Sequence, residues 1–117
     1  MMKWEKPSQE ILDIFEEVVP IGALIERRKM FGLPCAFIDN NMFIGVFKQT
    51  LFLRLSEEDR KEFLELPDAM RFEPMPGRNM KEYVVIPEAL LYDNPSLISW
   101  IQRSVAYVSA LPPKEKK

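Results

Sequence analysis

The chain has no histidine and a single cysteine among its 117 residues. Without imidazole, Ser-His and Cys-His nucleophilic machinery is excluded, as are histidine-ligated zinc and facial-triad iron sites. One cysteine cannot form an internal disulfide, which suits a reducing cytoplasm. Long apolar runs are also missing. No stretch approaches the roughly 20 apolar residues of a membrane-spanning helix. The opening "MMKWEKPSQEILDIFEEVV" has no uninterrupted apolar segment before its acidic residues, so neither a signal peptide nor membrane attachment is expected. Nor is there an excess of positive charge: 16 Lys and Arg against 18 Asp and Glu leave a net charge of −2. Direct nucleic-acid binding by this chain alone is therefore not expected without a local basic patch.

What is present is an ordinary globular composition, 47% hydrophobic and 29% charged. The length suits one domain over 1–117, ending in a frayed, solvated tail at 112–117. Carboxylate-only metal or acid-base sites remain open. The acids in the run Glu57, Glu58, Asp59, Glu62 and Glu65 nevertheless read as a solvated helix face. No catalytic, cofactor-binding or metal-binding constellation emerges, and a non-enzymatic protein without a cofactor is expected.

Periodicity then supplies the elements. Ile11, Ile14, Phe15 and Val18 recur at helical spacing across 9–19, entered through Pro7 or Ser8 and stopped by Pro20. The segment after Gly22 is extended or mixed, with the charges from Glu26 to Lys29 at a sheet edge. "CAFID", "MFIGVFK" and "LFLRL" read as a three-stranded meander with turns at Asn40-Asn41 and Gln49-Thr50. Ser56 caps a helix over 57–66. A short strand follows around Arg71–Glu73, then a Pro76-Gly77 turn and a longer strand over Met80–Ile86. Pro87 opens a short helical turn, and Asn94 caps a final helix with Pro95 in its first position. The order α-β-β-β-α-β-β-α predicts an α+β domain, an antiparallel sheet of about five strands with the N- and C-terminal helices packed on it. Phe15, Val18, Phe37, Ile44, Val46, Leu53, Phe63, Val84, Ile101 and Val105 form the predicted core.

The meander's alternation separates two faces. The expected pairing sets Phe37 opposite Ile44, Cys35 opposite Val46, Val46 opposite Leu53 and Ile44 opposite Leu55, giving an aliphatic face for the helices. The second face then carries Ile38, Phe43, Phe47 and Phe52, with Ala36, Gly45 and Arg54 between them. A sheet covered on one side usually shows a polar second face. This one is aromatic, which leaves three explanations open: helices on both sides, a symmetry mate, or a platform for a ligand or single-stranded nucleic acid. The platform is the weakest, because Arg54 alone supplies charge there. Phe43, Phe47, Phe52 and Ile38 are thus the candidate contacts of a homodimer. The intramolecular alternative covers the face with the segment Met80 to Leu91, or with Trp100 and Tyr107 of the last helix.

Three further features bear on function. Arg27, Arg28, Lys29, Arg54, Arg78 and Lys81 are candidate contacts for an anion or an acidic partner, unless acids such as Glu26, Glu73 and Glu82 neutralise them. Cys35 reads as a buried structural thiol, since nothing nearby would activate it. Met30, Met42, Met70, Met75 and Met80 gather near strand ends, as gap fillers or as an adaptable binding surface.

The ordered segments "RRKMFG", "NNMFIGVF", "LFLRLSEEDRKEFLELP", "FEPMPGRNMKEYVVIP" and "YVSALPPK" closely resemble the N-terminal domain of the TfoX/Sxy competence-regulator family, from about Arg27 to Lys114. The resemblance implies a small α+β fold similar to secretion chaperones and YgaC-like proteins, and it implies no catalytic residue. In longer members this domain precedes a C-terminal domain and acts in competence gene expression alongside the cyclic-AMP receptor protein. The present sequence matches the N-terminal domain alone, so that role is not expected to transfer unchanged. The expected function is a cytoplasmic regulatory domain acting through protein contacts, as a homodimer and with a partner that the resemblance places in the transcription machinery. The alternative is a small anionic-ligand or nucleotide-binding protein using Arg27, Arg54 and Arg78.

Overall fold

Helix α1 (Gln9–Val18) begins where Ser8 Oγ accepts the Ile11 N–H, and its stripe of Ile11, Phe15 and Val18 is buried. Ser56 does the same for α2 (Glu57–Phe63), accepting the Asp59 N–H. Two further helices, α3 (Glu88–Leu91) and α4 (Asn94–Ser109), close the chain. Asn94 does not cap α4: Asp93 occupies that position, its side chain accepting from Ser96 Oγ rather than from a helix N–H, while Asn94 Nδ2 donates to Glu17. The computed structural model describes residues 6–22, 24–30, 32–73 and 80–114, so the expected Pro76-Gly77 turn, Met75 and Arg78 lie outside the described residues.

Among the described residues six antiparallel strands form one sheet in the order β1-β2-β3-β4-β6-β5. They are β1 (Ile25–Met30), β2 (Leu33–Ile38), β3 (Asn41–Phe47), β4 (Thr50–Arg54), β5 (Met70–Arg71) and β6 (Tyr83–Val85). The charged segment Glu26 to Lys29 is therefore a full edge strand, one more than the predicted order contained. Its charges and the brevity of β5 blunt the two sheet edges.

Both turns of the meander fall one residue earlier than predicted. Asp39 and Asn40 take φ of 51° and 66°, so Ile38 pairs with Asn41; Lys48 takes φ of 56°, so Phe47 pairs with Thr50. Two left-handed residues in sequence are the geometry of a primed hairpin turn, which Asp and Asn tolerate. Each displacement moves the pairing by two residues and leaves the faces unchanged, so Ile44 faces Leu53 and Val46 faces Leu51.

A β-bulge is what changes the faces. Phe37 pairs with Met42, but Ala36 pairs with Ile44, leaving Phe43 as the extra residue. Phe43 and Ile44 both turn inward and are fully buried. Ala36 and Ile38 join them in the core, while Cys35 pairs with Gly45 on the other side. The predicted pairs of Phe37 with Ile44 and Cys35 with Val46 are therefore corrected, and Phe37 leaves the predicted core to become half-buried on the outer face. The bulge is recognised from the opposite layer, where buried Ser104 Oγ donates to the Phe43 carbonyl at 3.5 Å.

All four helices deliver their buried side chains to this inner face. Phe15, Phe63, Leu90 and Ile101 meet Ile44, Val46, Leu53 and Val84 there, and Val105 packs partly buried against them. Trp100 sits edge-on to Phe63 at 5.0 Å rather than across the second face.

Residues 112–114 are exposed, as expected of the tail, but are not frayed. Residues 112–114 are tied to the first hairpin turn: Asn41 Nδ2 donates to the Pro112 carbonyl, Asn40 Nδ2 to that of Lys114, and the Lys114 N–H to that of Asp39. The asparagines that shape the turn also hold the tail.

Candidate functional site

The outer face of the sheet is aromatic, as the alternation predicted, but its membership differs. Phe52 is its centre. A Cβ on Gly45 would stand 2.4 Å from Phe52 Cζ, so the ring fills space that only glycine leaves open. Phe72, just beyond β5, stacks on the other side of that ring at 4.4 Å and 5°, and both rings are 3% exposed. Phe47 meets Phe72 edge-on at 5.1 Å, and Tyr83 meets Phe52 edge-on at 5.7 Å. Edge and offset contacts of this kind are the favoured aromatic geometries.

Of the four candidate interface residues, Ile38 and Phe43 lie in the helix-side core, at 1% and 0% exposure. Phe52 is covered by Phe72. Phe47 remains half-buried at the surface, and Phe37, Met42, Tyr83 and Val85 share its face and its partial exposure. Met70, opposite Val85, is exposed. The cover over Phe52 thus comes from Phe72, which sequence reasoning placed only in a short strand.

The basic residues do not form one cluster. Arg27 leaves the inner side of β1, donates to the Val19 carbonyl at the end of α1 (3.1 Å) and lies 3.6 Å from Glu16. A cation there also complements the helix C-terminus. Arg54 leaves the outer side of β4, three strand spacings or about 14 Å away. Arg28 is on the outer side of β1, its guanidinium 4.4 Å above the Phe37 ring and bonded to Glu26 (2.8 Å) and Asn40 (2.6 Å). Lys29 and Lys81 are exposed. Neutralisation by Glu26 and Glu82, the plainer reading of the sequence, is what the arginines at the two ends of the face show.

At Arg54 the neutralisation is part of a network that sequence alone did not reveal. Arg54 Nε donates to Glu82 Oε1 at 2.7 Å, and the Tyr107 hydroxyl donates to Glu82 Oε2 at 3.1 Å. Burial would raise the Glu82 carboxyl, but the bond and charge of Arg54, helped by Tyr107, hold it below the usual range. The Tyr83 hydroxyl crosses the face to donate to the Met42 carbonyl at 2.7 Å. Burial pushes this phenol up to about 12, against the opposing charge of Arg54. Cys35 is 2% exposed and its Sγ donates to the Arg28 carbonyl at 3.5 Å. Burial raises its thiol despite the charge of Arg28, which removes nucleophilic character.

The arrangement is therefore an aromatic sheet face framed by Arg28 and Arg54, paired with Glu26 and Glu82. Among the described residues no helix is long and apolar enough to cross a membrane. A search of curated proteins finds no match. The family model described as the TfoX N-terminal domain matches residues 16–108 of the 117. That span runs from the last turn of α1 almost to the end of α4 and includes every described strand, so the chain belongs to the TfoX N-terminal domain family, a family of regulatory domains associated with competence.

Proposed function

We propose that this chain is a non-enzymatic cytoplasmic regulatory domain that acts through protein contacts, and that its outer sheet face pairs with a second copy of itself. One observation carries the reading. Half-buried Phe37, Met42, Phe47 and Val85, with exposed Met70, share a face to which none of the described helices contributes its buried side chains. A contiguous apolar patch of this kind usually marks an interface. A two-fold mate presents the same surface in return, so one patch serves both partners. Family membership supports the regulatory part of the reading and directs the search for a further partner to transcription control.

Light scattering on the wild-type chain and on Phe47→Glu tests the pairing. A dimer that becomes monomeric in Phe47→Glu, with unchanged circular dichroism, is the expected result. Equal masses for a folded variant and the wild type would refute it. Phe43→Glu is unsuitable, because Phe43 belongs to the core.

A further inference from the structure

A groove lies between α1 and the α3–α4 connection. Its volume is about 530 Å³, and it adjoins a second hollow of about 400 Å³ toward the β3–β4 turn. Leu91, buried, and Ile14, half-buried, form an apolar floor, with the Tyr92 ring, 55% exposed, at the lip between the hollows. Along the wall α1 presents Glu10, Asp13 and Glu17, a spacing that puts all three on one side of a helix. Glu88 of α3 lines the adjoining hollow.

The carboxylates lack what the chain provides elsewhere. Among the described residues the ion pairs are made at Glu16, Glu26, Glu57, Asp59, Glu62 and Glu82, never in the groove. Glu10 instead accepts from the Tyr92 hydroxyl at 3.0 Å, Glu17 from Asn94 Nδ2 at 2.9 Å and Asp13 from Gln9 Nε2 at 2.9 Å. Neutral donors orient these groups without cancelling their charge. No three of the chain's described carboxylates are placed to share a metal ion, so a single bound cation does not answer the wall. From Glu10 to Glu17 it runs about 10 Å, two turns of a docked helix.

We infer that this groove docks an amphipathic, lysine- or arginine-bearing helical segment of a partner protein. Apolar side chains of the segment meet Ile14, Leu91 and Tyr92 while its cations meet Glu10, Asp13 and Glu17. Charge complementarity selects the occupant, and the apolar floor provides the contact area that a loose counterion cloud would not need. The inference goes beyond self-pairing, which centres on Phe47; the two surfaces approach each other at Val85, which also lines the second hollow.

The test is an NMR titration of the full chain with an acetylated helical peptide of about 14 residues, leucines on one side and lysines on the other. Saturable shifts confined to α1, Leu91 and Tyr92 are expected, weakening with added salt. The combined Glu10→Gln, Asp13→Asn and Glu17→Gln variant should bind at least about tenfold more weakly while keeping its circular dichroism. Phe47→Glu should bind like the wild type, so that loss of self-pairing and loss of the groove are read separately. Shifts centred elsewhere, equal affinity in the triple variant, or equally strong and identical shifts from spermine alone would each overturn the inference.

Discussion

The tip of the Phe52 ring stands where a Cβ on Gly45 would be, 2.4 Å from that position. Phe52 cannot easily yield, because Phe72 is stacked on it at 4.4 Å. Gly45→Ala should therefore destabilise the domain by about 1–3 kcal/mol, the usual cost of overfilling a packed site. Chemical denaturation measures it. Gly45→Ala with Phe52→Leu, which withdraws the ring tip, should cost less than the sum of the two single changes.

Phe43 and Phe47 are four residues apart on one strand but should behave as different classes of residue. Phe43→Ala empties a fully buried site and should cost about 3–5 kcal/mol. Phe47→Ala, at a half-buried position, should cost clearly less and act chiefly on self-association. Denaturant midpoints of the two variants, recorded at low protein concentration to remove any contribution from pairing, check the contrast.

Tyr83 ties stability to alkaline pH. Its phenol is raised to about 12 when folded, from an ordinary value of 10.0. The folded state thus holds the proton that the unfolded state has released. The associated stability is complete below about pH 10 and is lost as pH rises toward about 12, by about 2–3 kcal/mol. Tyr83→Phe should remove this component of the alkaline decline. Urea unfolding of both proteins across that window is the measurement, and their difference isolates Tyr83 from Tyr107, whose phenol burial also raises.

Cys35 should resist alkylation. Burial raises its thiol and closes access to it, so iodoacetamide at mildly alkaline pH should label the native chain far more slowly than the chain in denaturant. Rapid native labelling would place Cys35 at the surface.

The helices were legible because their signals are local: Ser8 and Ser56 cap as their positions suggest, and Ile11, Phe15 and Val18 share a face by spacing alone. The inward direction of Ile44, Val46 and Leu53 was legible for the same reason. The turn was misplaced by one residue because Asp39-Asn40 and Asn40-Asn41 tolerate left-handed backbone about equally well. The bulge at Phe43 has no signature in the strand itself; what accepts the extra residue is a core pocket with Ser104, 61 positions away. Residues 112–114 are exposed as expected but not frayed, because the hydrogen bonds that hold them come from Asn40 and Asn41, far away in sequence. The groove was beyond reach, because Glu10 and Tyr92 lie 82 positions apart and meet only after folding.

Self-pairing through the outer face is tested most directly by isotope-filtered NOE spectroscopy on an equal mixture of labelled and unlabelled chains. Cross-chain contacts at the Phe47 ring, with Met42 or Phe37 beside it, are the predicted result. A contact-free spectrum from a sample that sediments at 13.7 kDa would contradict it.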